Sequence, residues 1–214
     1  MKQNVILDIE KYKIITILRG LTKEEILKTV DAMVKGGIKL VEVTFDQTGK
    51  IPDETTAENI KAIATNFKDI VRVGAGTVMT IKQVELAKNA RAEFIISPDC
   101  YEPVIKRTLE LDMVSIPGVF TPSEAANAYR YGADFAKLFP NSELGISYLK
   151  AITAPLSHIK FLAVGGVTHE NMLDYLNAGA KGIGVATGIA DKQVIKKGEY
   201  EKITELAQKF TKQI

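Results

Sequence analysis

Lys137 stands in an apolar run of strand type, Phe135-Ala136-Lys137-Leu138-Phe139-Pro140. A cation at the end of such a run is costly to desolvate, so its ammonium form is disfavoured. The neutral amine that results is the form that attacks a carbonyl to make a Schiff base. Taken alone, the hexapeptide fits equally a lysine that snorkels to the surface or pairs with a carboxylate. Three other polar residues stand at comparable places: Arg19 in Thr16-Ile17-Leu18-Arg19-Gly20, Glu42 in Val41-Glu42-Val43-Thr44, and Thr77 after Gly74-Ala75-Gly76. One amine, one carboxylate, one guanidinium and one hydroxyl suit carbonyl chemistry on an anionic substrate.

The elements that must bring these residues together are legible as an alternation. Short β-rich runs begin near Ile14, Lys39, Val71, Phe94, Val114, Phe135, Phe161 and Gly182. Between them lie amphipathic stretches such as Lys23 to Lys35, Ile81 to Asn89, Pro122 to Tyr131 and Asn171 to Asn177. Strands alternating with helices predict a parallel sheet of βα units, and eight units of this size predict a (β/α)₈ TIM barrel in the α/β class. Gly36-Gly37, Gly132 and Gly179 each follow a helical stretch just before a strand, where glycine supplies a left-handed turn. A last helix, roughly Glu199 to Lys212, is expected to close the outer ring. We read residues 1–214 as one TIM-barrel domain, because 214 residues with 46% apolar content can bury one substantial core.

In such barrels chemistry gathers at the C-terminal ends of the strands. Arg19, Glu42, Thr77 and Lys137 all fall there, with Ile95-Ile96-Ser97-Pro98 ending the fourth strand and Val164-Gly165-Gly166 the seventh. Each has a plainer reading. Glu42, pointing inward between Val41 and Val43, is either a group of raised pKa or the structural partner of Arg19 or Lys137. Thr77 is either a site hydroxyl or a helix cap, a task for which Thr80 competes. Arg19 is either a substrate ligand or a cap on strand carbonyls. Gly165-Gly166 is either an ordinary turn or a place where backbone N–H groups approach a phosphate.

Ile17-Leu18-Arg19-Gly20, Val41-Glu42-Val43-Thr44, Gly74-Ala75-Gly76-Thr77-Val78, Ile96-Ser97-Pro98, Ile116-Pro117-Gly118, Lys137-Leu138-Phe139-Pro140 and Gly165-Gly166-Val167 follow one another over nearly the whole chain. In order and spacing they resemble the 2-keto-3-deoxy-6-phosphogluconate / 4-hydroxy-2-oxoglutarate aldolases. The resemblance implies a class I aldolase that cleaves a 2-keto-4-hydroxy acid to pyruvate and an aldehyde, without metal or cofactor, as a homotrimer. By position it implies Lys137 as the Schiff-base lysine and Glu42 as the general acid/base. It further implies Thr77 as a ligand of the pyruvate carboxylate, Pro98 and Phe139 as pocket walls, Gly165 and Gly166 as backbone donors to phosphate, and Arg19 as a further substrate ligand. Two other classes fit a barrel with these residues: a sugar-phosphate isomerase or epimerase in which Lys137 is only an electrostatic group, and a barrel that binds a keto acid or sugar phosphate without turning it over.

The chain departs from the family pattern at three places. Where the family continues Val-Glu-Val-Thr with Leu-Arg-Thr, this chain has Phe45-Asp46-Gln47, which reverses the charge, and a longer loop, Thr48 to Glu54, follows. Asp46 then either lines the mouth or turns away, in which case Lys50 is available as a replacement cation. After the eighth strand the chain reads Gly184-Val185-Ala186-Thr187-Gly188, with Thr187 in place of the family's serine as a possible phosphate ligand. Asp99 replaces a usual glycine.

Charge and composition bound the partners. A net charge of +2, from 28 basic and 26 acidic residues dispersed along the chain, offers no block for nucleic acid or an anionic membrane surface. No apolar run approaches a membrane span or a signal peptide, so a cytoplasmic protein is expected, while the small 2-keto acid substrate is what the resemblance implies. One cysteine, Cys100, and two histidines, His158 and His169, leave no disulfide and little for a zinc site.

Overall fold

The computed structural model describes residues 2–214, so that Met1, the first residue of the expected domain, lies outside the described residues. The strands are β1 (Ile14–Leu18), β2 (Leu40–Thr44), β3 (Arg72–Gly76), β4 (Phe94–Ile96), β5 (Val114–Ile116), β6 (Gly118–Val119), β7 (Ala136–Leu138), β8 (Phe161–Val164) and β9 (Gly182–Val185). The helices are α1 (Lys2–Tyr12), α2 (Lys23–Lys35), α3 (Asp53–Asn66), α4 (Ile81–Asn89), α5 (Glu102–Glu110), α6 (Pro122–Arg130), α7 (Asn141–Thr153), α8 (Met172–Asn177), α9 (Lys192–Lys196) and α10 (Tyr200–Thr211). All strand pairs are parallel, in the order β5-β4-β3-β2-β1-β9-β8-β7-β6.

The two ends of that order are consecutive in sequence. β5 and β6 are one barrel strand broken at Pro117, whose ring removes a ladder N–H. Below the break β5 pairs with β4; above it Pro117 accepts from Lys137 N at 2.8 Å and β6 pairs with β7. The sheet therefore closes into a (β/α)₈ barrel, as the alternation predicted, with nine strand segments making eight staves. The predicted helices lie within a residue of their observed limits. Gly37, Gly132 and Gly179 all take positive φ behind α2, α6 and α8, as expected of helix ends. Thr22 and Thr121 each form a capping box, with Glu25 and Glu124, at the starts of α2 and α6.

Two apolar layers result. Outward residues of the strands, among them Ile14, Leu18, Val41, Val43, Val73 and Ile95, pack under the ring of helices. α10 closes that ring against α2, with the Thr204 and Thr211 hydroxyls donating to the Ala32 and Gly36 carbonyls at 2.9 and 2.6 Å. Inside the barrel, Ile15, Leu40, Phe94, Ile96, Val114, Ile116, Phe135 and Leu162 form a second cluster. The fold adds to the sequence reading α1, which plugs the N-terminal end of the barrel and sends Val5, Ile6 and Ile9 into that inner cluster. Ion pairs fix its outer side: Arg72 holds Asp8 at 2.8 Å and Glu93 at 2.7 Å, while Lys2 reaches Asp134 at 2.9 Å. The interior is thus filled from below, and only its upper layer is left for polar side chains.

If α1 is a plug rather than an appendage, removing its innermost side chain must cost the stability of the whole barrel. Ile9 is fully buried. Ile9→Ala should lower the unfolding free energy by about 2–4 kcal/mol in urea denaturation, the range for a large aliphatic truncated in a packed core. A loss below about 0.5 kcal/mol would show that the helix frays independently.

Candidate active site

The upper layer begins with Glu42. On β2 the inward positions are Leu40, Glu42 and Thr44, and the register places Glu42 between Ile17 of β1 and Gly74 of β3. Its carboxylate is 2% exposed and lies where a side chain on Gly76 would have to be: a Cβ there would clash with Glu42 Oε1. Glycine at position 76 is required by that close approach, and Gly74 below it gives way in the same manner to the Phe94 ring.

Lys137, across the barrel on β7, is 7% exposed. Desolvation pushes its pKa below the ordinary lysine value and the nearby Arg19 charge pushes the same way, against a raising influence from Glu42. Glu42 is pushed above the ordinary carboxylate value by burial, against the lowering influence of Lys137 and Arg19. The two groups interact through charge alone: among the described residues neither forms an ion pair. This decides against the structural-partner reading of both. Lys137 Nζ also lies 4.5 Å from the centroid of the Phe139 ring, a contact that steadies the amine but is weak beside the desolvation.

Both groups open into a cavity of about 680 Å³ at the C-terminal end of the barrel. Arg19, Thr77, Pro98, Phe139, Gly165, Gly166 and Thr187 line it with them, so all nine residues singled out in the sequence meet there. Thr77 is not the cap of α4, a task that Thr80 performs by accepting from Gln83 N at 3.2 Å. Thr77 instead holds a left-handed backbone, φ 53°, which is strained for a β-branched residue. Gln47 braces it by donating to the Thr77 carbonyl at 2.7 Å, and Gln83 braces Gln47 at 3.3 Å. Gly165 and Gly166, at φ 97° and 72°, run so close to Asn141 and Ser142 that side chains would be crowded out. Asn171 clamps this loop, donating to the Gly166 carbonyl at 3.0 Å and accepting from Thr168 N at 2.8 Å.

Of the two alternatives for the charge-reversed loop, the fold follows the one in which Asp46 turns away, but without Lys50 as the replacement cation. Asp46 is turned into its own loop, where its carboxylate accepts from Thr48 N (3.1 Å), Thr48 Oγ1 (2.8 Å) and Ile51 N (3.0 Å). Those hydrogen bonds, the backbone one from Thr48 foremost, hold its pKa below the usual carboxylate range. Lys50 is exposed and outside the cavity wall. The cations that do line the cavity beside Lys137 are Arg19 and Lys192, and Lys192 was not foreseen; its only sequence signal was a lysine after Asp191, a common pairing at a helix start.

The remaining titratable groups lie elsewhere. His158 packs edge-on against Tyr129, and His169 pairs with Glu170 at 3.1 Å beside the Phe210 ring. The Cys100 thiol is pushed up to about 11 by burial, with Glu124 and Asp99 adding to it. Among the described residues no group of three or more His, Cys, Asp or Glu could hold a metal ion. A second cavity, about 660 Å³, opens at the opposite end of the barrel beside α1, but its central charges, Arg72, Asp8 and Glu93, are paired with one another. Lys137 and Glu42, both buried, unpaired and shifted in opposite directions, meet at the C-terminal cavity, which is where barrel chemistry is expected.

Comparison with known proteins agrees with this geometry. The sequence model of the aldolase family "KDPG and KHG aldolase" matches residues 5–206. The 2-dehydro-3-deoxy-6-phosphogalactonate aldolase of Escherichia coli K12 is 35% identical over 180 residues, covering 84% of this chain and 85% of that protein. A crystal structure of the KDPG aldolase from Legionella pneumophila, with pyruvate captured at low pH as a covalent carbinolamine intermediate, superimposes with a TM-score of 0.86 at 27% identity, over 97% of each chain. A cube-shaped porous cage designed by fusing symmetric oligomeric domains matches with a TM-score of 0.84 at 33% identity, over 94% of this chain and 72% of the other.

The lowered pKa of Lys137 has a direct consequence for its reactivity. Trace acylation with acetic anhydride, mapped by peptide, should show Lys137 gaining reactivity with a midpoint below the ordinary 10.5, because its neutral form is already favoured at lower pH. Glu42→Gln should move that midpoint further down, since it removes the charge that favours the ammonium. A midpoint at or above 10.5 would contradict the assignment of desolvation as the dominant influence.

Proposed function

Since the chain belongs to the KDPG and KHG aldolase family and is a pyruvate-type aldolase, a carbon–carbon lyase, we propose that Lys137 is its Schiff-base nucleophile and Glu42 its general acid/base. The observation that carries this reading is the buried amine facing a buried, unpaired carboxylate across one cavity. The substrate is a 2-keto-3-deoxy sugar acid, phosphorylated or not, or 4-hydroxy-2-oxoglutarate.

The steps follow from the two groups. The Lys137 amine adds to the C2 carbonyl carbon, and a proton passes from nitrogen to oxygen to give a carbinolamine. Glu42, whose protonated form burial favours, delivers a proton in that form to the departing hydroxyl, which leaves as water and forms the iminium. The iminium draws in the electron pair of the C3–C4 bond. As that bond breaks, the Glu42 carboxylate takes the proton of the C4 hydroxyl, and the aldehyde departs. Glu42 then returns the proton to C3 of the enamine, and water hydrolyses the iminium to pyruvate and the free lysine. No metal or cofactor is called on for any of these steps.

The roles proposed for the other lining residues are those that the family resemblance implies. Thr77, held in its left-handed turn by Gln47, is set to bind the pyruvate carboxylate, with Pro98 and Phe139 walling the three-carbon half. In this reading Gly165, Gly166, Thr187 and Arg19, which line the same cavity, serve the other half of the substrate. We read residues 1–214 as one catalytic domain acting in the cytoplasm as a homotrimer. This is in keeping with the family and with the absence, among the described residues, of a helix long and apolar enough to cross a membrane. Sedimentation should return three times the 23.4 kDa chain mass, and a mass of one chain would remove the trimer from the reading.

Borohydride reduction with pyruvate is the decisive experiment, because only an imine is reduced to a stable adduct. The adduct should map to Lys137. Lys137→Ala should abolish both trapping and cleavage while leaving the fold intact. Glu42→Gln should still form the adduct, slowly, and lose turnover by roughly 10²–10⁴-fold, the usual weight of general acid/base help. A fully active Lys137→Ala protein would leave the isomerase or epimerase reading standing, whereas trapping without turnover of any 2-keto-4-hydroxy acid would leave the binding-protein reading.

A further inference from the structure

We infer that Lys192 is a specificity-determining residue that holds the anionic group at the end of the substrate remote from the ketone, an inference that rests on the aldolase reading above. The starting point is charge. Around the cavity stand three cations, Arg19, Lys137 and Lys192, against one carboxylate, Glu42. Lys137 is engaged as the nucleophile and Asp46 is bound into its own loop, so Arg19 and Lys192 remain for substrate anions. Among the described residues neither is in an ion pair.

Position decides which anion Lys192 meets. With the three-carbon half bound as proposed beside Thr77, Pro98 and Phe139, at the ends of β3, β4 and β7, the part of the cavity left for the departing half is the side of β8, β9 and β1. Lys192 follows β9 in the chain, and its Nζ lies 3.5 Å from where a Cβ on Gly20 would be, over the turn that leaves β1 next to Arg19. Asp191 sets the backbone from which Lys192 projects by accepting from Gln193 N at 2.7 Å and Val194 N at 3.1 Å, and the buried Ile195 anchors the following turn. Thr168 and Thr187 line the same cavity. An ammonium on a flexible stem serves as a point charge for a phosphate ester or for a second carboxylate, and either chemistry satisfies this geometry.

The test compares Lys192→Met and Lys192→Arg with the unaltered enzyme on three substrates: a 2-keto-3-deoxy-6-phospho acid, 4-hydroxy-2-oxoglutarate, and the same 2-keto-3-deoxy acid without phosphate. Lys192→Met should lower the ratio of kcat/KM for an anion-tailed substrate to that for the neutral-tailed acid by roughly 10-fold, the weight of one charge-assisted hydrogen bond. The loss should appear in KM, shrink at high ionic strength, and be largely recovered in Lys192→Arg. A fall for the phosphorylated acid alone identifies phosphate as the anion, and a fall for the dicarboxylate alone identifies carboxylate. An unchanged ratio, whether all three substrates suffer equally or none does, overturns the inference while the aldolase reading stands. Failure of the unaltered enzyme to trap pyruvate with borohydride overturns the aldolase reading, and this inference with it.

Discussion

A primary amine can attack a ketone only in its neutral form, and a lysine exposed to water near neutral pH is almost entirely ammonium. Keeping Lys137 desolvated at the top of a barrel is the constraint on which the rest of the structure depends. Desolvation costs several kcal/mol for an ion without a partner, so the surroundings must be rigid enough to enforce it. The inner apolar cluster and the α1 plug beneath provide that rigidity, since they leave no path by which the amine reaches water from below.

The same constraint explains the treatment of Glu42. A carboxylate hydrogen-bonded to Lys137 would hold the lysine as ammonium, whereas one kept across the cavity, buried and unpaired, favours its own protonated form. The barrel sets this separation by placing the two groups on strands two and six of the eight staves. Gly76 supplies the space into which the Glu42 carboxyl folds. Arg19 lies close enough to disfavour the ammonium while also disfavouring a neutral Glu42, so its position balances the two.

Around this pair, second-tier contacts do the positioning. Gln47 and Gln83 hold Thr77 in a strained turn, Asn171 clamps the glycine loop, and Asp191 caps α9 beneath Lys192. The loop that carries Asp46 and Gln47 shows how an exchanged residue is absorbed. Asp46 binds its own loop backbone, and its neighbour Gln47 braces Thr77.

Much of this was legible in the chain. The alternation of apolar runs and amphipathic stretches determined the eightfold βα order, because strand and helix periodicities are local properties. The place of Lys137, Glu42, Arg19, Thr77 and the glycine pair at strand ends predicted that they share one cavity, because a barrel sends all such ends to one face. Other features depended on contacts between residues far apart in sequence. Val5, Ile6 and Ile9 could be recognised as an amphipathic set, but only the closed barrel offers them an interior to fill. Pro117 splits the fifth stave because its two neighbours pair on opposite sides of the break. The direction of a side chain in a loop follows no periodicity at all, so whether Asp46, Lys50 or Lys192 lines the cavity was decided by loop hydrogen bonds and helix capping, which only the tertiary structure records.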